Sequence, residues 1–563
     1  MLYFIPAWYQ QNKWRELEQN WHSRRMHTEF DDTVKQVQLF HRSGKVAYKI
    51  LLLSYAPNFR HFLHRQGVYH APYWSCFDAI QEITAKKAAV LSFHNLKWPE
   101  EIEFVYTPFA VLAYQNDVLY SKIEFGENGN PIEVTLYRYN EAVRRNVYDD
   151  RGFLSSTEIY DNGELRYTDY LTPDGHVKFR EYSPTGYIEI NQDYNYYLIF
   201  NGSEYEKKKF KKPYYDGIVD LLVEVFRSYI YYCDYDSKFC IAMHEYNARV
   251  LEKVLKSKYY ILSFFGDRFR MKEHENAKKL VEAANYVVTD SEATSRYLNR
   301  DMGYELPHIM DISPFDSRVD FGISQQLKVQ NILVPVDELP EDRFEQVIYQ
   351  LAKYITTNDM VCVHIFTREA AYNVPRDLLK KITDILIKYD FDPRWTIPQE
   401  DQKSKDETDI DNNKDVVPTY FVVEQCVDEL SVSKCIREQR ILLDMSHNPN
   451  LYLQINCISS GIPQLVRRRT QYVEHKQNGL IFKDFNKIPE SLDYFLNGFS
   501  NWNKAKVFSY QIGQKYTSRK LLTNWEYVLN VLEDDYKDAE QDYLNYANEE
   551  WDFKAAEREY LKK

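Results

Sequence analysis

Few residues in this chain stand at spacings that do chemistry. The densest run is Asp444 to Asp484, DMSHNPNLYLQINCISSGIPQLVRRRTQYVEHKQNGLIFKD. It joins a Gly461-Ile462-Pro463 turn, the basic triplet Arg467, Arg468 and Arg469, and a second turn at Asn478-Gly479. Three guanidinium groups could bind a phosphate or an acidic partner. A solvated helix end has the same composition, because adjacent side chains do not share one helical face. Cys233 and Cys240, with Asp234 and Asp236 between them in CDYDSKFC, offer thiols and carboxylates to a cation, but lack the second cysteine pair of structural zinc sites. Cys362 and His364 stand two apart in MVCVHIF, where apolar neighbours favour core and ladder positions over a nucleophile and its base. GxSxG, HExxH and a phosphate loop ending in GK(S/T) are absent. No catalytic, cofactor or metal-ligand set is therefore expected.

The elements that would position these groups alternate. Leu2 to Ala7 and Tyr48 to Tyr55 are short apolar runs of the kind buried on both faces of a helix-covered sheet. A polar helical stretch containing Trp14 separates them. From about Pro108 to Glu206 the pattern becomes tyrosine- and threonine-rich, broken by Gly126, Asn128-Gly129, Gly152, Asn162-Gly163, Asp174-Gly175 and Gly186. Such pairs between alternating segments predict a meander of hairpins, an extended antiparallel sheet set into the α/β layer. Beyond the basic patch Lys207 to Lys212, the alternation resumes with a helix at Ile218 to Ile230 and strands at Tyr259 to Phe264 and Tyr286 to Thr289. Ser291 is placed to cap a following helix. A second α/β set starts near Asn331, with strands expected in ILVPVDE, MVCVHIF, YFVVEQC and at Arg440 to Leu443. The division expected is 1–107 and 207–315 as two parts of a first Rossmann-like domain and 108–206 as the sheet insertion. Residues 316–524 form a second Rossmann-like domain carrying a charged loop at 398–416, and 525–563 a helical segment with an aromatic side.

The chain has 563 residues, 71 of them basic and 84 acidic, for a net charge of -13. That length suits several domains with cores of their own, and 44% hydrophobic composition excludes a wholly disordered chain. Seven cysteines without a CxxC pair argue against a disulfide scaffold and for a reducing compartment. With no leader-like opening and no run of about 18 apolar residues, a cytoplasmic location is expected. The acidic balance removes the broad basic footprint of nucleic-acid binding, and no nucleic-acid partner is expected. The 48 tyrosines suit either half-buried sheets or surfaces that stack on carbohydrate or peptide.

Gly461-Ile462-Pro463 followed by Asn478-Gly479-Leu480-Ile481-Phe482 resembles the nucleotide-sugar side of two-domain glycosyltransferases of the GT-B class. Transfer from such a donor needs positive groups and a helix N-terminus for the departing diphosphate, and carboxylates or amides for the sugar and ribose. The class usually places two acidic residues eight apart around its glycine-proline segment. Here Tyr452 to Ser460 offers none, and the second position falls among Leu465, Val466 and Arg467. The class also carries an arginine and a lysine after the first strand of the second domain. This chain has Asp337, Glu338, Glu341 and Asp342 there, with Arg343 alone in opposition. Trp8 and Tyr9 replace the glycine-rich loop after the opening strand. The resemblance thus implies a GT-B-like fold with a degenerate donor cleft, of which Gly461, Pro463, Asn478 and Gly479 are vestigial candidates.

A closer resemblance rests on LYFIPAWY, FGISQQ from Phe321, LLDMSHNPNLYLQINCISSGIPQLV and NGLIF. Together these segments are similar to the first accessory Sec proteins, a family of cytoplasmic factors of the accessory secretion system in Gram-positive bacteria. That family implies a non-enzymatic, glycosyltransferase-like component working with the second and third accessory Sec proteins and the specialised Sec ATPase. Its implied cargo is a glycosylated serine-rich-repeat adhesin, and membrane contact is implied only through the translocation partners. An active glycosyltransferase or a glycan-binding protein is the alternative.

Overall fold

The computed structural model describes residues 1–9, 31–84, 88–191, 193–199, 205–255, 258–399 and 417–529. The helical stretch expected around Trp14, most of the charged loop 398–416 and the helical segment past Leu529 lie outside the described residues. Two compact units divide the chain. One comprises Met1–Asp290, Thr294–Asp311 and Glu526–Lys563; the other comprises Ile312–Trp525 with Ser291–Ala293.

The first unit is built on a parallel sheet. Its spatial order is Ile309–Asp311, Tyr286–Thr289, Tyr259–Phe264, Lys238–Ala242, Leu2–Ile5, Tyr48–Leu52 and Tyr73–Ser75. Leu2–Ile5 is buried at every position and pairs on one side with Tyr48–Leu52 and on the other with Lys238–Ala242, Leu2 opposite Lys238. Helices cover both faces, so uninterrupted apolar runs such as LYFI and YYILSF are what the layer requires. The helix Ile218–Tyr231 buries Leu221, Leu222, Val225 and Phe226 in this core, and its Tyr229 stacks on Trp74 at 4.2 Å between centroids.

Between Tyr73–Ser75 and Lys238–Ala242 the chain builds a ten-stranded antiparallel sheet. It starts with Ile102–Tyr106 and not at Pro108: Pro108 sits in the turn to Val111–Gln115, where the Thr107 amide donates to the Ala110 carbonyl at 3.0 Å. The far edge is Tyr214–Tyr215, paired with Tyr187–Ile190. The basic patch lies partly in a separate hairpin, Asn195–Ile199 with Tyr205–Lys209. Tyr170, Phe179 and Ile188 join this sheet to the core of the α/β layer, whereas Phe93, Val111, Ile123, Val134 and Tyr148 form a small core of its own.

The second unit holds a six-stranded parallel sheet in the order Phe421–Gln425, Val361–Thr367, Gln330–Pro335, Gln439–Asp444, Gln464–Val466, Gly479–Ile481. Numbered along the chain this is 3-2-1-4-5-6, the doubly wound Rossmann order, and the first unit repeats it with a seventh strand added.

Candidate functional site

In a doubly wound sheet, ligands bind beyond the carboxyl ends of the strands where the winding reverses, between strands one and four. In the first unit these are Leu2–Ile5 and Lys238–Ala242. Asn247, fully buried, spans the reversal: its Nδ2 donates to the carbonyls of Pro6 (3.1 Å) and Ala242 (2.8 Å). The Tyr9 hydroxyl donates to its Oδ1 at 2.6 Å, and the Tyr9 ring lies 4.8 Å from the His244 ring. Trp8 packs on Phe62 at 4.7 Å and donates through Nε1 to Asp31 Oδ1 at 3.1 Å. His244 caps the helix Glu245–Val254, its Nδ1 accepting from the Tyr246 amide at 3.1 Å. Burial, and then the charge of Arg268, push His244 down to about 4, so the imidazole is neutral at physiological pH.

Arg268 closes the same edge. Its Nη1 donates to Asp31 Oδ2 (2.9 Å) and Asp32 Oδ1 (2.5 Å), and its Nη2 donates to Asp32 Oδ2 (2.9 Å). Burial and the adjacent Asp32 carboxylate push Asp31 up to about 7. Burial acts upward on Asp32 too, but the charge and hydrogen bonds of Arg268 outweigh it and hold Asp32 below its ordinary value. The two acids and the neighbouring imidazole are thus engaged with the protein's own groups.

In the second unit the reversal lies between Gln330–Pro335 and Gln439–Asp444. Asp337 accepts from the Thr367 hydroxyl (2.6 Å) and the Arg368 amide (2.9 Å), tying together the ends of the first two strands. Asp444 is buried and accepts from the amides of Ser446 (3.1 Å) and Asn450 (3.0 Å). Burial raises its carboxyl, and Glu338 adds to the rise. Both carboxylates at this reversal are thus held by hydroxyl and amide groups of the protein itself.

The motif residues have structural places here. Gly461 ends the helix Leu451–Ser460 in the left-handed region at φ 71°, and buried Pro463 follows it, its carbonyl accepting from the Leu442 amide at 3.1 Å. Asn478 is fully buried; its Oδ1 accepts from the Glu474 amide (2.7 Å) and its Nδ2 donates to the Tyr472 carbonyl (2.8 Å). A Cβ on Gly479 would stand 2.1 Å from the Gln464 carbonyl oxygen, so only glycine admits this strand pairing. The arginine triplet separates. Arg467 lies 5.6 Å over the Phe485 ring, Arg468 donates to the His447 carbonyl at 3.0 Å, and Arg469 is exposed. Partial burial and then the charge of Arg343 lower Arg467, with Asp342 opposing.

The cysteine pairings considered from sequence do not assemble. Cys233 Sγ donates to the Tyr229 carbonyl at 3.6 Å, while Cys240 lies within a strand and donates to Gln36 Oε1 at 3.5 Å. Cys362 Sγ donates to the Thr419 carbonyl at 3.8 Å, and His364 pairs with Glu424 at 2.9 Å.

Two doubly wound sheets, one carrying a large antiparallel insertion, define a GT-B-type fold. The pneumococcal O-GlcNAc transferase GtfA, in complex with UDP and GlcNAc, shares it with a TM-score of 0.65 at 11% identity, over 94% of this chain and 98% of that one. The likeness at this identity is one of fold. The family profile of the first accessory Sec system protein matches residues 1–532, and the chain belongs to that family. The family's member from Streptococcus gordonii is 32% identical over 535 residues, covering 93% of this chain and 98% of the relative. A crystal structure of accessory secretory proteins 1, 2 and 3 of Streptococcus pneumoniae matches with a TM-score of 0.74 at 25% identity, over 94% of this chain and 99% of that one. No described helix is long and apolar enough to cross a membrane.

Proposed function

We propose that this chain is a non-enzymatic scaffold or adaptor of the accessory Sec system. It acts with the second and third accessory Sec proteins and the specialised Sec ATPase to export glycosylated serine-rich-repeat adhesins, and it meets the membrane through those partners. The observation that carries this reading is the engagement of polar groups at each switch point with the protein itself: Arg268 with Asp31 and Asp32 in one unit, Asp337 and Asp444 with strand ends and loop amides in the other. A centre for glycosyl transfer needs such groups directed at substrate. The similar pneumococcal structure, which holds accessory secretory proteins 1, 2 and 3 together, supports the choice of partners. The antiparallel sheet adds exposed apolar surface at Val105, Tyr106, Phe109 and Tyr139. Pull-down of purified full-length protein with the sister proteins and the ATPase at native salt tests the proposal, and association with none of them would sink it.

One feature favours a second reading, recognition of a nucleotide sugar or glycan. The buried Nη1 of Arg467 has no hydrogen-bond partner among the described residues. A nucleotide-sugar panel separates the two. Time-dependent transfer or hydrolysis, abolished in Arg467→Ala, would establish an enzyme; saturable glycopeptide binding without turnover would establish a lectin-like role.

A further inference from the structure

The last third of the chain brings together side chains that the sequence keeps apart in kind. Glu424 stands on the strand Phe421–Gln425, and Cys426, two residues on, shares its side of the chain. A turn whose Asp428 and Ser431 form a reciprocal capping box then starts the helix Glu429–Arg437, which returns Cys435 to the same place. One carboxylate oxygen of Glu424 and the sulfurs of Cys426 and Cys435 all lie within 4.8 Å of one another. Both thiols are buried, while the Glu424 side chain is 36% exposed. A carboxylate set against two buried thiols is poor core packing and a good ligand set. A second observation points the same way: His364 holds Glu424 Oε1 through Nδ1 at 2.9 Å, the arrangement by which an outer histidine orients a carboxylate ligand. The backbone is fixed as well, since the Cys426 amide donates to the Thr367 carbonyl at 2.8 Å.

We infer that Glu424, Cys426 and Cys435 form a binding site for a borderline-soft divalent cation, zinc above all, with His364 as the residue that positions Glu424. Two thiolates and one carboxylate select zinc over calcium or magnesium and leave a fourth tetrahedral position for water. Binding exchanges the two thiol protons for the metal and releases them to solvent. Full-length protein, reduced and stripped with a chelator, should take up Co(II) with a saturable thiolate-to-metal charge-transfer absorption that Zn(II) bleaches. Cys426→Ser with Cys435→Ser should abolish it. His364→Gln should weaken Co(II) binding by roughly 10- to 100-fold, and Cys362→Ser should leave it unchanged. Absence of the absorption in folded, reduced wild-type protein would overturn the site. So would its persistence in the double variant, or, should that variant fail to fold, Co(II) affinity unaltered in Glu424→Gln.

Discussion

Arg268 is the residue on which the first switch point turns, because it neutralises two adjacent carboxylates that burial would otherwise oppose. Replacing it with methionine leaves Asp31 and Asp32 without their cation and should cost about 3–5 kcal/mol, read as a lower urea midpoint. The same cluster sets a pH dependence. Asp31 is pushed from its ordinary 3.8 to about 7, so the folded protein binds the extra proton between those values. Its contribution to stability is full at low pH and is lost as pH rises through 7, and Asp150, also pushed up to about 7, acts in the same direction. Urea unfolding between about pH 5 and 8 should therefore show a smaller decline in stability for Asp31→Asn than for wild type; equal declines would refute the assignment. Trp8 is readable from sequence as an obstruction, since bulk follows directly from residue type. Arg268 is not, because 236 residues separate it from Asp32 and only tertiary packing joins them.

At the scale of elements, the inserted sheet is locked to its α/β layer by buried charge. Arg151 donates to Asp78 (2.9 Å from each of Nη1 and Nη2) and to Asp149 (2.6 Å from Nε), while Asp150 accepts from the Arg60 amide at 2.8 Å. Arg151→Met should destabilise by about 3–5 kcal/mol, with amide exchange accelerating first in Glu141–Tyr148 and Leu154–Asp161. Gly479→Ala should cost roughly 1–3 kcal/mol by forcing the last two strands of the second sheet apart, measured by thermal unfolding. Hairpins are legible because Asn-Gly and Asp-Gly pairs have local causes. The sheet's first strand escapes a reading of the sequence because Pro108 looks like a boundary when it is a turn. Lys238–Ala242 is hidden for a different reason: its apolar run FCIA is short, follows a charged loop, and carries Cys240, which with Cys233 looks like a ligand. The Glu424, Cys426 and Cys435 cluster is invisible there because a strand and a helix must pack before it exists.

For the whole molecule, the family resemblance is readable in segments spread along the chain, and those segments turn out to hold the fold. Phe321 of FGISQQ lies under Lys506 at 4.4 Å, and a Cβ on Gly322 would meet the Arg437 carbonyl oxygen at 2.6 Å. The first unit also reclaims chain from beyond the second. Tyr259 donates to the Val528 carbonyl at 2.8 Å, Lys238 donates to that of Leu529, and both Val528 and Leu529 are buried. Truncation after Trp525 should therefore raise amide exchange in Lys238–Ala242 and Tyr259–Phe264 while sparing Gln330–Pro335, an outcome that hydrogen-exchange mass spectrometry would decide.

That topology also imposes a schedule. Leu2–Ile5 is synthesised well before one of its neighbours in the sheet, Lys238–Ala242, which follows more than two hundred residues later. At about 5–20 residues per second of translation, the gap is roughly 10 to 50 seconds. The lobe receives Val528 and Leu529 only after the second Rossmann sheet has been made. During that interval an apolar strand edge is open to chaperones and to the edges of other nascent chains. The lobe that begins before the second Rossmann sheet is thus completed after it, and its yield in the cell depends on the timing of synthesis as well as on its final stability.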